Sequence, residues 1–292
     1  MTVTSTSPGA RLRELLAGPE PTPIMGAYDG LSARIAVEAG FGALWASGLC
    51  MSTALGLRDS DEASWTDLLA LVARVVEATD LPVLVDGDTG YGNFNTARRF
   101  ATQAERIGAA GVCLEDKVFP KMNSFVGDRH ALAPIGEFCG KVEACRDAVR
   151  DPDFVIAARV EALIAGAGVE EGLRRAEAYR EAGAGAIFIH SRQSTIDEIR
   201  EFAREWGGKL PLVVSPTTYY DTAPEVYAEL GIGGVIWANQ TMRAAVTAMR
   251  QACRVLRTEG PAEVEPTIAS LDEVFALMGY AQLAEDEARY TP

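Results

Sequence analysis

Histidine is almost absent from this sequence, with two in 292 residues, and cysteine is scarce, with five. The cysteines (Cys50, Cys113, Cys139, Cys145 and Cys253) are odd in number, scattered and never spaced as Cys-x-x-Cys. That pattern argues against a disulfide framework and against a thiolate zinc site, and points to a reducing compartment. No run approaches the roughly 18 apolar residues of a membrane span. Residues 1–18 are rich in Ser, Thr and Gly and lack the apolar core of a signal peptide, so the expectation is a cytoplasmic protein. Basic residues are also in deficit: 27 Lys and Arg against 41 Asp and Glu give a formal charge of −14. Nucleic acid needs a basic footprint and is set aside as a partner. A small anion is not, because a local Arg, Lys or metal ion outweighs a distant field.

What the sequence has in quantity is one recurring pattern. β-Rich runs at 23–27, 42–46, 81–85, 111–115, 154–160, 185–190, 210–214 and 234–237 are each followed by a helical stretch. Several of these stretches end in a Gly (Gly40, Gly108, Gly183) that supplies the left-handed cap leading into the next run. Ser64 with Asp67 three residues on marks a helix start. Runs such as VLV and AIFIH look buried on both faces, as parallel strands covered by helices should be. Eight such units predict a (β/α)8 TIM-type barrel with extra C-terminal helices. An open doubly wound sheet fits less well, because no Gly-rich dinucleotide turn follows the first run. The expected division is an N-terminal extension (1–22), the barrel (23–258) and a helical tail (259–292) that packs on the barrel or on a partner subunit.

Active sites of such barrels lie at the C-terminal ends of the strands. The residues there are Trp45, Ser47 and Gly48; Asp86 and Asp88; Glu115, Asp116 and Lys117; Arg159 and Glu161; His190 and Ser191; and Asn239. Asp86 and Asp88 lie two apart on an extended segment and share a face. Together with Glu115 they form an all-oxygen donor set that selects Mg2+ or Mn2+ over zinc; the alternative is a turn-forming Asp pair. Arg159 suits bidentate recognition of a carboxylate or phosphoryl group, or a salt bridge to Glu161. His190 is either a donor to substrate or a core histidine. Ser47 and Gly48 can offer a hydroxyl and backbone N–H groups to an anion. The loops at 56–65 and 115–130 are long and polar, as lids are, and the second carries Lys121, Asn123 and Ser124.

The segments WASGL (45–49), GLRDSDEASW (56–65), DGDTGYGNFN (86–95), EDKVFPKMNS (115–124), ARVEALIAG (158–166) and IHS (189–191) together resemble the phosphoenolpyruvate mutase family of the isocitrate lyase superfamily. The resemblance runs in order through residues 23–257. Lyases of that superfamily carry a Cys and a His in the fourth-strand loop, and this sequence has neither in the corresponding EDKxFPKxNS stretch. The resemblance implies rearrangement of phosphoenolpyruvate to phosphonopyruvate, the first step of phosphonate biosynthesis. It implies Mg2+ held by Asp86, Asp88, Glu115 and Asp59, directly or through water. Asp59, Lys121, Asn123, Arg159 and His190 would serve catalysis, with Trp45, Ser47, Gly48, Leu49, Ser124 and Glu161 contacting substrate. It further implies a homo-oligomer, dimer or tetramer, with exchanged C-terminal helices, and coupling to a phosphonopyruvate decarboxylase. The sequence departs from the family at Gly87, usually Ala, and at Thr218, often Lys. The nearest rival is phosphonopyruvate hydrolase, which IHSRQ (189–193) and EARY (287–290) resemble. A hydrolase-like chain would have Thr in place of Asn123. A C–C lyase or oxaloacetate decarboxylase, and then a non-catalytic scaffold, are the remaining alternatives.

Overall fold

Eight parallel strands close into a barrel in sequence order, β1 pairing with β8. The structure is a computed structural model that describes residues 6–127 and 130–291. Its elements begin with α1 (Pro8–Leu16), β1 (Thr22–Ala27), α2 (Gly30–Glu38), β2 (Ala43–Ala46), α3 (Gly48–Ala54), α4 (Trp65–Glu77), β3 (Val83–Asp86) and α5 (Phe94–Arg106). They continue with β4 (Gly111–Glu115), α6 (Ile135–Ala148), β5 (Val155–Val160), α7 (Gly168–Glu181), β6 (Ala186–Ile189), α8 (Asp197–Trp206), β7 (Leu212–Val214), α9 (Pro224–Glu229) and β8 (Ile232–Trp237). This is the expected (β/α)8 architecture. Ser64 and Asp67 form a capping box at the start of α4, and Gly40, Gly108 and Gly183 all take positive φ.

Alternation along each strand sorts side chains into two layers. In β5, Val155 and Ala157 join Leu84, Cys113, Phe188 and Ile236 in the cluster that fills the lumen. Ile156, Ala158 and Val160 face outward into the larger layer between strands and helices. The same alternation, carried past the last lumen residue of each strand, aims the next inward side chains into the mouth.

Two elements go beyond the sequence reading. Residues 8–16, read only as part of an N-terminal extension, form α1, capped by Ser7 and started by Pro8. Leu12 and Leu16 complete the lumen cluster, each stabilising by about 1.5–3 kcal/mol on full burial. The anchors of α1 all lie at the N-terminal ends of strands. Arg13 Nε donates to Asp153 O (2.9 Å), Arg11 Nη1 to Asp80 O (2.6 Å), and Thr22 Oγ1 to Leu15 O (2.9 Å). The loop expected after β2 contains α3, whose N-cap is Ser47.

By internal contacts the compact barrel unit ends at Asn239, not near residue 258, and the last helix groups with the tail. That helix, α10 (Gln240–Thr258), has no buried residue. The second unit continues with α11 (Pro261–Val264), a 3-10 turn (Glu265–Thr267), α12 (Leu271–Leu277) and α13 (Tyr280–Tyr290). Ser270 and Glu273 form a capping box on α12, and Phe275 packs on Tyr280 at 4.9 Å between ring centroids. Leu271, Val274, Phe275, Met278 and Leu283 stay exposed. No helix among the described residues is long and apolar enough to cross a membrane.

Candidate active site

Reading up from the lumen layer, the next positions are Trp45 on β2 and Ser47 just past it, Asp86 at the end of β3 with Asp88 beyond, and Glu115 at the end of β4 with Lys117 beyond. Arg159 and Glu161 follow from β5, His190 from β6, and Ser215 and Thr217 from β7. They surround a cavity of about 50 Å3 whose lining includes Trp45, Asp59, Asp86, Glu115, Arg159 and His190. The loop at 116–134 folds over it, contributing Lys121, Asn123, Ser124 and Phe125 to the lining. A short antiparallel stem fixes this loop: Lys117 bridges Leu132, Val118 N–H donates to Ala131 O (2.9 Å), and Ala133 N–H to Asp116 O (2.8 Å).

One half of the cavity is carboxylate-rich. The turn after β3 is stitched to β4, with Gly87 N–H donating to Cys113 O (2.8 Å) and Glu115 N–H to Asp88 O (2.7 Å). Asp88 and Tyr91 sit at positive φ, sparsely populated for such residues and costing of order 1–3 kcal/mol each. The strain is held by close packing. A Cβ on Gly87 would lie 2.8 Å from Leu114 Cδ2 and 3.0 Å from Phe100 Cε1, so here the family's usual Ala would not fit without movement. Lys121 Nζ spans Asp59 Oδ1 (2.5 Å) and Asp88 Oδ1 (2.8 Å), while Asn123 Nδ2 donates to Asp59 Oδ2 (2.5 Å). Burial pushes Asp88 well above the ordinary carboxylate range; Lys121 opposes the shift, and Asp86, Asp59 and Glu115 add to it. Asp86 is raised for the same reasons. Burial works against the charge of Asp59 too, yet Lys121 and Asn123 hold its carboxyl below the usual value.

The other half balances its own charges. Glu161 is completely buried and is met by Arg159 Nε (2.5 Å), Lys117 Nζ (3.0 Å), Ser124 Oγ (2.7 Å) and His190 Nδ1 (2.9 Å). Despite burial, Arg159, His190 and Lys117 hold its carboxyl well below the normal range. Burial, and then Arg159, lower His190, which favours the neutral ring. Arg159 also reaches Ser124 Oγ (3.0 Å), His190 Nδ1 (2.8 Å) and Glu115 Oε2 (3.4 Å), and its guanidinium lies over Phe188. Thus the salt bridge to Glu161 and an approach to the cavity coexist in one side chain.

Do these residues suit a divalent cation? Asp88 Oδ1, Glu115 Oε1 and Asp61 Oδ1 are buried acceptors that receive no hydrogen bond, although the Lys121 ammonium lies alongside Asp88. Hard, anionic, under-coordinated oxygens fit Mg2+. Among the described residues, however, no three His, Cys, Asp or Glu side chains converge enough to enclose an ion by themselves. The donor set therefore fits a cation that keeps water and substrate oxygens in its shell, not a closed protein cage.

Of the substrate contacts expected from sequence, Trp45, Ser47, Leu49 and Ser124 line the cavity, and Gly48 and Glu161 do not. Gly48 N–H is already committed to Asp86 Oδ2 (3.1 Å), and Glu161 lies behind Arg159 and His190, holding them in place. Asp88 too is withdrawn from the cavity wall. Thr218, at a position often Lys in relatives, ties its loop to the preceding one by donating to Gln193 O (2.7 Å). Sequence reasoning placed Lys117 at this strand end without giving it a role, and it missed Asp61, which accepts from the Lys121 N–H (2.6 Å). Asp116 was likewise placed there without a role; it accepts from Glu161 N–H (2.8 Å), Tyr179 Oη (2.7 Å) and Arg175 Nη1 (3.1 Å) and is pushed up to about 6 by burial. These contacts join residues far apart in the chain, and no local pattern announces them.

Comparison with known proteins agrees with this geometry. The sequence profile of phosphoenolpyruvate phosphomutase matches residues 12–257. The chain is 60% identical over 290 residues to phosphoenolpyruvate phosphomutase of Streptomyces hygroscopicus, covering 99% of this chain and 93% of that one. The crystal structure of phosphoenolpyruvate phosphomutase from Streptomyces platensis subsp. rosaceus superimposes with a TM-score of 0.95 at 41% identity, covering 97% of this chain and 99% of that one. A phosphonopyruvate hydrolase complex with oxalate and Mg2+ superimposes with a TM-score of 0.91 at 39% identity, covering 98% of this chain and all (100%) of that one. From its strand-end residues to its full-length similarity, the chain belongs to the phosphoenolpyruvate phosphomutase family.

Proposed function

We propose that this protein interconverts phosphoenolpyruvate and phosphonopyruvate, moving the phosphoryl group between the C2 oxygen and C3. The observation that carries the reading is the clasp in which Lys121 and Asn123 reach from the loop onto the two oxygens of Asp59. It brings donors to the cavity and covers it in the same movement. In the forward reaction the P–O bond breaks with its electron pair left on oxygen, and the enolate's C3 then attacks phosphorus. Such a loose transition state needs positioning and charge stabilisation rather than a covalent relay. Asp59, with both oxygens engaged, is a poor nucleophile, which favours the dissociative route.

Arg159 offers the planar cation for the carboxylate or phosphoryl end, backed by Glu161. His190 Nδ1 is held between Arg159 Nη2 (2.8 Å) and Glu161 Oε1 (2.9 Å), which orients the ring toward the substrate. Ser47 and Ser124 add hydroxyls. A divalent cation at Asp86, with Asp88, Glu115 and Asp59 reaching it directly or through water, would supply Lewis-acid stabilisation of the enolate charge. Mg2+ is the expected ion and Mn2+ the substitute. Exclusion of water by the loop keeps the transferring group from hydrolysis.

Phosphorus NMR of the purified protein with phosphonopyruvate and Mg2+ tests this. Phosphoenolpyruvate is expected; phosphate with pyruvate would mark a hydrolase, and no reaction would sink both readings. Asn123 favours the mutase, since its amide sits where it can hold the phosphoryl group against water. A cytoplasmic homo-oligomer, dimer or tetramer, is part of the proposal, supported by scarce, scattered cysteines and by the exposed apolar residues of α12 and α13. Product consumption by a decarboxylase, within phosphonate biosynthesis, completes it.

A further inference from the structure

Lys117 is an ammonium group with nowhere to go but inward. It follows β4, its side chain is 3% exposed, and its three N–H donors meet three acceptors. These are Ser124 Oγ at 2.6 Å, Glu161 Oε2 at 3.0 Å and Met122 O at 3.1 Å. Glu115 Oε1, at 3.7 Å, is beyond hydrogen-bond reach. Two of the three partners flank Asn123 in the chain. Asn123 is itself held at both ends: Nδ2 donates to Asp59 Oδ2 at 2.5 Å, and Oδ1 accepts from Phe125 N–H at 3.0 Å. Its amide therefore points wherever the backbone at 122–125 points. That backbone is fixed to the barrel through Lys117 and through Ser124, whose Oγ donates to Glu161 Oε2 at 2.7 Å.

We propose that Lys117 is a positioning residue for Asn123: by gripping the carbonyl before it and the hydroxyl after it, Lys117 holds the Asn123 amide on Asp59. It thereby sets how often the phosphoryl group reaches carbon instead of water. The proposal rests on the mutase reading for its chemistry but not for its geometry. Lys117 touches no reacting atom and does not line the cavity; its effect is transmitted through Asn123. Losing it strands buried partners of a charged group, an effect on the order of 10- to 100-fold.

The test is Lys117→Met, assayed with phosphonopyruvate and Mg2+ by phosphorus NMR. The rate of phosphoenolpyruvate formation should fall about 10- to 100-fold with little change in KM, and the share released as phosphate should rise. Because Lys117 acts through Asn123, Lys117→Met added to Asn123→Ala should cost little more than Asn123→Ala alone. A wild-type product ratio and rate, or effects that multiply in the double variant, would overturn the proposal. Should Lys117→Met not fold, Lys117→Gln retains one donor and should give an intermediate ratio; a wild-type ratio there counts equally against the idea. A second arm needs no turnover: hydrogen exchange at 122–125, in the protein alone and with oxalate and Mg2+. Exchange should quicken about tenfold in Lys117→Met, and unchanged exchange sinks the proposal even if the mutase reading stands. If wild-type protein makes neither product, the mutase reading fails while this arm still judges Lys117.

Discussion

Asp88 and Glu161 are both buried carboxylates at the same barrel mouth, and their surroundings push them in opposite directions. Asp88 is raised well above the ordinary range, with one ammonium shared among Asp59, Asp86 and itself. Glu161 is held well below it by Arg159, His190 and Lys117. The first half of the cavity is short of positive charge and suits a cation; the second arrives with its charges matched. The proposed binding of a metal and an anion calls for both kinds of surroundings at one barrel mouth, and one strand-end register provides them.

The comparison can be broken in four ways. The largest expected effect is from Asp59→Ala, which removes the residue on which both lid donors converge. Turnover should fall by about 10^3-fold or more, with far less change in melting temperature. A rate within tenfold of wild type would show that the carboxylate-rich half is not where the chemistry is set.

Next is Glu161→Gln, which leaves Arg159 and Lys117 buried without their shared anion. A loss of about 3–5 kcal/mol is expected in urea unfolding. Its pH dependence follows from the sign of the shift. A depressed carboxyl contributes stability above its unfolded value of about 4.3, and that stability is lost as pH falls through the folded value. The variant should therefore show a shallower acid limb than wild type.

Asp86 and Asp88, being raised, behave in the opposite sense. Their ionisation opposes folding, so this contribution worsens as pH rises above the usual carboxylate value of about 3.9. Mg2+ relieves it and competes with protons. The calorimetric melting-temperature gain from Mg2+ should accordingly grow from pH 5 to pH 8, by a few degrees. A gain that is flat or falls with pH would mean the cation does not sit among these carboxylates. The smallest effect is that of Gly87→Ala, about 1–3 kcal/mol of overpacking against Leu114 and Phe100. Adding Leu114→Val should restore much of it.

How much of this was legible in the residues alone depends on the range of the interaction. Strand β4 runs over the expected 111–115, because an apolar run between a helix-ending Gly and a charged pair is a local signal. The strand-end acids, Arg159 and His190 were readable for the same reason: period two carries them into the lumen. Helix α1 was not, although Ser7 and Pro8 announce its start, because nine residues with few apolar positions look like a tail until the barrel floor is there to receive Leu12 and Leu16. Helix α3 was hidden by a Gly-, Ser- and Thr-rich stretch with little period of its own. The networks around Lys117, Asp61 and Asp116 depend on a loop folding back on the barrel, and nothing in their spacing reports that. Gly48 was misread as an open donor because Asp86 lies 38 residues away in sequence and 3.1 Å away in space.

Helix α1 has one more consequence. With Leu12 and Leu16 stoppering the strand starts, the barrel has a single door, and everything that enters or leaves must pass the loop over the mouth. Isomerisation and leakage are then two outcomes of the same valve, timed against each other. A lineage could move from one chemistry to the other by retuning how long that door stays shut, with substitutions confined to the loop and none in the barrel wall.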